Sequence, residues 1–143
     1  YLRKRGEVIS LERSRPLYEV GKEGLAALSG QDGEMTEALR RIQLLHADFR
    51  GFLETAAPNS FDVIYFDPMF RYPVKRKENS MEGFRSAAVY DPLTEDVLQF
   101  AMRAARKKVI VKERPFSALF RTGLFTEIHG KRGQTTAYGV IKL

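Results

Sequence analysis

The sequence predicts an α/β fold, doubly wound around a mostly parallel sheet and closed by an antiparallel hairpin. Three observations predict it. Short apolar runs recur along the chain, VISL (8–11), IQLL (42–45), VIYF (63–66) and VIV (109–111), and their apolarity is continuous rather than alternating. That is the pattern of strands covered on both faces. Stretches of helical periodicity lie between the runs, and alternation of strand and helix implies parallel pairing through crossovers. The end of the chain reads differently: LFTEIH (124–129) and TTAYGVIKL (135–143) flank GKRGQ, two strands around a short Gly-bearing loop.

Taken in order, YLRKRG reads as the last turn of a helix, basic and closed by Gly6. After the first run, residues 15–29 carry an approximate helical stripe of Leu17, Val20, Leu25 and Leu28. Asp48, after the second run, precedes FRGFLE and is a good helix N-cap. Residues 71–93 have no assigned element, apart from a short helix expected within 80–89. A loop that long in a compact domain is usually functional or an element the pattern misses. A helix is predicted over 94–106, with Thr94 as cap, Glu95 and Asp96 in the first turn, and Val97, Leu98, Ala101, Met102 and Ala105 on one face. Arg103, Arg106, Lys107 and Lys108 gather at its end, where the helix dipole favours cations. Repeats, low-complexity tracts and interdomain linkers are absent, so residues 1–143 are expected to form a single domain.

Composition narrows the function classes. Hydrophobic residues make up 43 % of the 143, an ordinary globular content, and no apolar run approaches the ~20 residues a membrane helix needs. Cysteine is absent, which excludes disulfides and thiol chemistry and is compatible with a cytoplasmic location, the expected one. Two distant histidines argue against a metal site. A net charge of +6 tilts the partner towards a polyanion; the plainer reading is a soluble basic surface.

Ligands of open α/β sheets bind beyond the carboxyl ends of the strands. Three of the four runs carry an acid there: Glu12, Asp48 and Asp67; the fourth carries Lys112. Glu12 is either a solvated strand end or an acceptor for both hydroxyls of a ribose. Asp48 is either a cap alone or an acceptor for an adenine amino group. Lys112 is either a snorkelling strand end or a substrate contact. Asp67 opens DPMF, and Asp-Pro alone would make a turn. A turn leaves Phe70 without a task. A carboxylate oxygen and the carbonyl of Pro68 can instead accept hydrogen bonds from one –NH2 group, at a spacing set by the fixed φ of Pro68. Phe70 can then stack on the flat ring that carries the amine.

FDVIYFDPMF (61–70) resembles motif four of class I S-adenosylmethionine-dependent methyltransferases, the Asp/Asn-Pro-Pro-aromatic tetrad of the amino-methylating branch. With Met69 in the third place it is similar to the bacterial small-subunit ribosomal RNA guanine methyltransferase J family. VISLERSRPLYEVGKEGL, RIQLLHADF, VIYFDPMF, MEGFRSAA and KKVIVKERP follow that family's order and spacing over most of the chain. The resemblance implies a Rossmann-like fold, S-adenosylmethionine as cofactor and an exocyclic amine of guanine in small-subunit ribosomal RNA as substrate. It implies that Glu12 binds the cofactor ribose and Asp48 the adenine, with Arg13, Ala47 and Asp67 also at the cofactor. Asp67 and Pro68 would hold the amine, and Phe70 would stack on the base. The tetrad's relatives also serve DNA adenine and protein glutamine, and a non-catalytic RNA-binding domain could keep the same fold. A dehydrogenase would need a Gly-rich loop that these residues do not show.

The family's first strand and Gly-rich loop have no counterpart in residues 1–143. A sheet without its central strand leaves two ladders of backbone groups unpaired. The natural protein is therefore expected to carry residues upstream of Tyr1 that supply both; intact mass and N-terminal sequencing test this. On the nucleic-acid side, Lys75, Arg76 and Lys77 follow the tetrad, with Tyr72 beside them and Phe84 and Tyr90 further on. Such cations track phosphates and such aromatics stack on unpaired bases; the plainer reading is a solvated charged loop.

Overall fold

The computed structural model describes residues 6–29, 33–68, 87, 91–131 and 133–143. The described residues group into two compact units. One holds those up to Phe49 together with Ala87, and the other holds those from Arg50 onward.

The first unit runs β1 (Val8–Glu12), α1 (Arg15–Ser29), α2 (Glu34–Leu39) and β2 (Ile42–His46). β1 and β2 pair in parallel, from Val8 opposite Ile42 to Glu12 opposite His46. Parallel neighbours need a crossover, and the two helices provide it. α1 starts where Ser14, buried, accepts the Leu17 amide on its hydroxyl at 3.5 Å and the Tyr18 amide on its carbonyl at 2.9 Å. Pro16 lies in the first turn, where no amide is required of it. The inner face of α1 is not the expected stripe. Leu17, Tyr18, Gly21 and Leu25 are half-buried, whereas Val20 and Leu28 are exposed. Gly21 is the reason: a Cβ there would stand 3.0 Å from Leu44 Cδ2, so its absence lets α1 lie close on β2. α2 was not predicted; Gly33 opens it at φ 133°, a conformation that favours glycine.

The second unit holds α3 (Phe49–Thr55, from its second residue), β3 (Phe61–Phe66), α4 (Glu95–Ala104), β4 (Ala105–Glu113), a 3-10 turn (Ala118–Arg121), β5 (Glu127–His129) and β6 (Ala137–Lys142). The sheet order is β3-β4-β6-β5, with β3 parallel to β4 and the remaining pairs antiparallel. The expected parallel pairs and closing hairpin are thus both present, in an α/β chain whose described strands form two sheets. Val97, Leu98, Ala101 and Ala104 of α4 are fully buried, as are Val109 and Val111 of β4, on which α4 packs. Burying a Val or Leu side chain stabilises by about 1.5–3 kcal/mol, and an Ala methyl by less.

Three local expectations are corrected. α4 ends at Ala104 and β4 begins at Ala105 with no loop between them, because Ala105 is already extended at φ −83°, ψ 150°. Arg106, Lys107 and Lys108 are therefore strand residues, and Arg106 and Lys107 pair with Asp62 at 2.7 and 3.2 Å. Only Arg103 stays in the helix, and its guanidinium donates to the carbonyls of Leu53, Glu54 and Ala56 at the end of α3. Thr94 does not cap α4 through its side chain; its hydroxyl donates to Asp96 and accepts from Arg50. β3 is not covered on both faces, since Tyr65 is 50 % exposed while Phe66 is buried. The helix expected within 80–89 lies outside the described residues, save Ala87, which is helical. Among the described residues no helix is long and apolar enough to cross a membrane.

Candidate functional site

The first unit gathers Glu12, Arg13, Ala47 and Asp48 at one edge. Register does this: Glu12 and His46 are opposite partners at the carboxyl ends of two parallel strands, so the residues that follow them leave the sheet together. The Ala47 amide donates to the Glu12 carbonyl at 3.2 Å. Arg13 and Asp48 form an ion pair at 3.4 Å, and Asp48 immediately precedes α3. Glu12 Oε1 accepts the Ser14 amide at 2.7 Å. Ser14 in turn donates its hydroxyl to the Ala87 carbonyl at 2.6 Å. His46 sits at 3.0 Å from the Arg13 carbonyl through Nε2, with its ring stacked on Tyr18 at 5.2 Å. Sequence reasoning passed over Ser14 and His46. A serine two residues beyond a strand-end acid and a histidine just before Ala47-Asp48 were the available signals.

The donor chemistry suits a nucleoside. A ribose diol presents two hydroxyl donors, and among the described residues only Oε1 of the Glu12 carboxylate takes a hydrogen bond. Asp48 supplies a second carboxylate within the same edge, an acceptor of the kind an adenine amino group can donate to.

The second unit holds Asp67, Pro68 and Lys112. β3 and β4 are parallel with Phe66 opposite Val111, so the next residue of each strand, Asp67 and Lys112, stand side by side beyond the pairing. Lys112 Nζ donates to Asp67 Oδ1 at 2.5 Å. That hydrogen bond pushes the Lys112 ammonium above the usual lysine range, against the opposing effect of burial. Tyr65 lies two residues before Asp67 on the same face of β3, and Tyr138 is opposite Lys112 on β6. Partial burial, then the neighbouring Asp67 carboxylate, hold the Tyr65 phenol protonated above its usual range. Neither tyrosine was singled out from sequence, because only strand register reveals them as neighbours of the acid. Phe70, Tyr72, Lys75, Arg76 and Lys77 lie outside the described residues, as do Met69, Phe84 and Tyr90. Among the described residues no group of His, Cys, Asp and Glu is placed to hold a metal ion.

Ligands of α/β proteins bind beyond the carboxyl ends of parallel strands, and here those ends carry Glu12 in one unit and Asp67 in the other. Residues 6–135 match the family described as "Putative SAM-dependent methyltransferase", and the chain belongs to that family, whose cofactor is S-adenosylmethionine. It is 31 % identical over 137 residues to the uncharacterized protein YpiP of Bacillus subtilis, covering 96 % of this chain and 52 % of YpiP. It is 31 % identical over 144 residues to the ribosomal RNA small subunit methyltransferase J of Cellvibrio japonicus, covering 93 % of this chain and 53 % of that protein. The corresponding protein of Hydrogenovibrio crunogenus is 33 % identical over 124 residues, 82 % of this chain and 44 % of its own length. The chain thus spans about half the length of these relatives. Its fold is similar to that of a SAM-dependent methyltransferase of Neisseria gonorrhoeae, with a TM-score of 0.61 at 19 % identity over 94 % of this chain and 52 % of that one.

Proposed function

We propose that this chain belongs to an enzyme that transfers a methyl group from S-adenosylmethionine to an exocyclic amino group of a nucleobase, guanine in small-subunit ribosomal RNA. The observation that carries the reading is the Asp67 carboxylate, placed directly beyond the carboxyl end of β3 and followed by Pro68. Family membership supplies the cofactor. The similarity to proteins named ribosomal RNA small subunit methyltransferase J, and the net charge of +6, support an RNA acceptor and a cytoplasmic location. The family match over 6–135 supports treating residues 1–143 as parts of one methyltransferase domain.

Bound S-adenosylmethionine supplies a methyl group already activated on a positively charged sulfur. The protein's task is therefore mostly orientation. Glu12 accepts the ribose hydroxyls and Asp48 the adenine amino group, with Arg13 and Ala47 holding the edge on which both stand. Asp67 and the Pro68 carbonyl accept the two hydrogens of the target amine, which fixes the nitrogen, and Phe70 stacks on its base. Methyl transfer from the sulfonium would leave the nitrogen with one proton to lose, and the Asp67 carboxylate, which accepts that N–H, is the group that would take it and pass it to water. Tyr72, Lys75, Arg76 and Lys77 contact the RNA around the target. A base inside a structured RNA must leave its stack to reach such a site.

The test uses the complete natural protein, isotopically labelled S-adenosylmethionine and isolated small ribosomal subunits, with nucleoside analysis of the product. Label in methylated guanine that is lost in Asp67→Ala supports the reading. Label in DNA adenine or in protein glutamine redirects it to those acceptors, and no label in any substrate leaves a binding module.

A further inference from the structure

Lys112 has two competing tasks. As a strand-end cation it could contact RNA phosphate. The structure instead engages it with Asp67: Nζ stands 2.5 Å from Oδ1, and the lysine side chain is only 27 % exposed. The placement is built into the sheet. Lys112 follows Val111, whose partner across the parallel pairing is Phe66, so the cation is set beside the acid by register rather than by a chance surface encounter. The same sheet face carries Tyr65 on β3 and Tyr138 on β6, the strands on either side of β4. These are the titratable neighbours of the pair among the described residues.

We infer that Lys112 is a positioning residue of the acceptor site, holding one oxygen of Asp67 so that the other is presented to the methyl-accepting amine. The inference rests on the amine-binding role proposed for Asp67. An aspartate has two rotatable bonds, and a carboxylate without a fixed partner exchanges its oxygens freely. A charge-assisted hydrogen bond to Oδ1 stops that rotation. Oδ2 and the Pro68 carbonyl are then two acceptors at one spacing, the arrangement an –NH2 group needs. The ammonium is a compact donor with no acceptor capacity, so it cannot itself bind the hydrogens of the amine. Its effect on the reaction runs through Asp67.

The two tasks make different kinetic predictions in the complete protein. For Lys112→Met a positioning role predicts kcat lower by about 10- to 100-fold, the scale of loss when a reacting group is misplaced. KM for the ribosomal subunit and its salt dependence stay within two-fold of the wild type, and Lys112→Arg recovers part of kcat because guanidinium can also donate to Asp67. Unchanged kcat with a raised KM, and a logarithmic salt slope smaller by about 0.7, would overturn the inference in favour of a phosphate contact. A wild-type protein that methylates nothing defeats the acceptor reading itself, an outcome distinct from an active wild type with an equally active Lys112→Met.

A second measurement does not depend on turnover or on the folding of that variant. With lysine amines carrying isotopically labelled methyl groups, the Lys112 resonance in the wild type should titrate above the bulk of the lysines. In Asp67→Asn it should return to them. The same midpoint in both proteins would overturn the pair.

Discussion

At the scale of single residues, the second unit holds an approach too close for even a methyl group. Gly139 of β6 is buried, and a Cβ built on it would stand 2.6 Å from Phe120 Cε1 and meet the Phe125 ring as well. The two rings pack edge to face at 5.1 Å, over the place where any other residue would put its side chain. Gly139→Ala must push one ring aside, and overpacking of this kind costs about 1–3 kcal/mol. Urea unfolding of the wild type and the variant should show that loss in the midpoint, with little change in slope. A variant as stable as the wild type would mean the rings relax freely. What was legible at this scale were the acids that end the strands. Glu12, Asp48 and Asp67 stand where the apolar runs predict them. What was not legible were their partners. Asp67 meets Lys112 across 45 positions of sequence through β3–β4 register, and no local pattern encodes a register.

At the scale of elements, the start of α4 is tied to α3 by charge. Asp96 accepts from Arg50 and from the Thr94 hydroxyl, and these bonds hold its carboxyl down to about 2. A folded pKa below the ordinary 3.8 means the contribution is complete above that value and fades as pH falls through about 2. Acid unfolding followed from pH 5 downward should therefore be shallower in Asp96→Asn than in the wild type over the window from about 4 to 2. Asp62 and Glu127 are also held low, by Arg106 and Lys142 first, so the variant keeps part of the slope. Identical acid profiles would show that the Arg50 pair adds nothing. The sequence pointed correctly to a helix here, to Thr94 as its N-cap residue and to acids in its first turn, but misjudged the hydroxyl of Thr94 and the helix's far end. Thr94 looked like a backbone cap, and its hydroxyl is drawn instead to Asp96. The basic run after Arg103 looked like dipole matching. It turns extended at Ala105 because Val109 and Val111 must reach the sheet beneath α4. Tertiary demand overrode a helical preference that Arg and Lys carry on their own.

At the scale of the whole molecule, the fold class was legible because strand and helix alternate in the apolar pattern. The division into two compact units was not, because it falls inside α3, between Phe49 and Arg50, where no linker marks it. Charge is the other whole-molecule property. The net +6 comes from 24 basic and 18 acidic residues. Many described cations already face an anion or a carbonyl: Arg13, Arg50, Arg103, Arg106, Lys107, Lys112 and Lys142. Between Asp67 and Glu78 the chain carries Arg71, Lys75, Arg76 and Lys77 and no acid, directly after the proposed amine-binding residues. A positive segment at that point suits the single-stranded flank of an extruded nucleotide. Each phosphate neutralised on a single strand releases counterions and adds about 0.7 to the logarithmic salt slope. Replacing Lys75, Arg76 and Lys77 together by alanine should thus weaken binding of a small-subunit RNA fragment alike for all sequences and reduce the slope by about 2. Affinity for S-adenosylmethionine should not change, which calorimetry on the complete protein checks. If the triple variant keeps the wild-type slope, the segment is a solvated loop and the RNA is held by other residues. If the slope falls and the cofactor affinity falls with it, the substitutions have disturbed the fold rather than a phosphate contact.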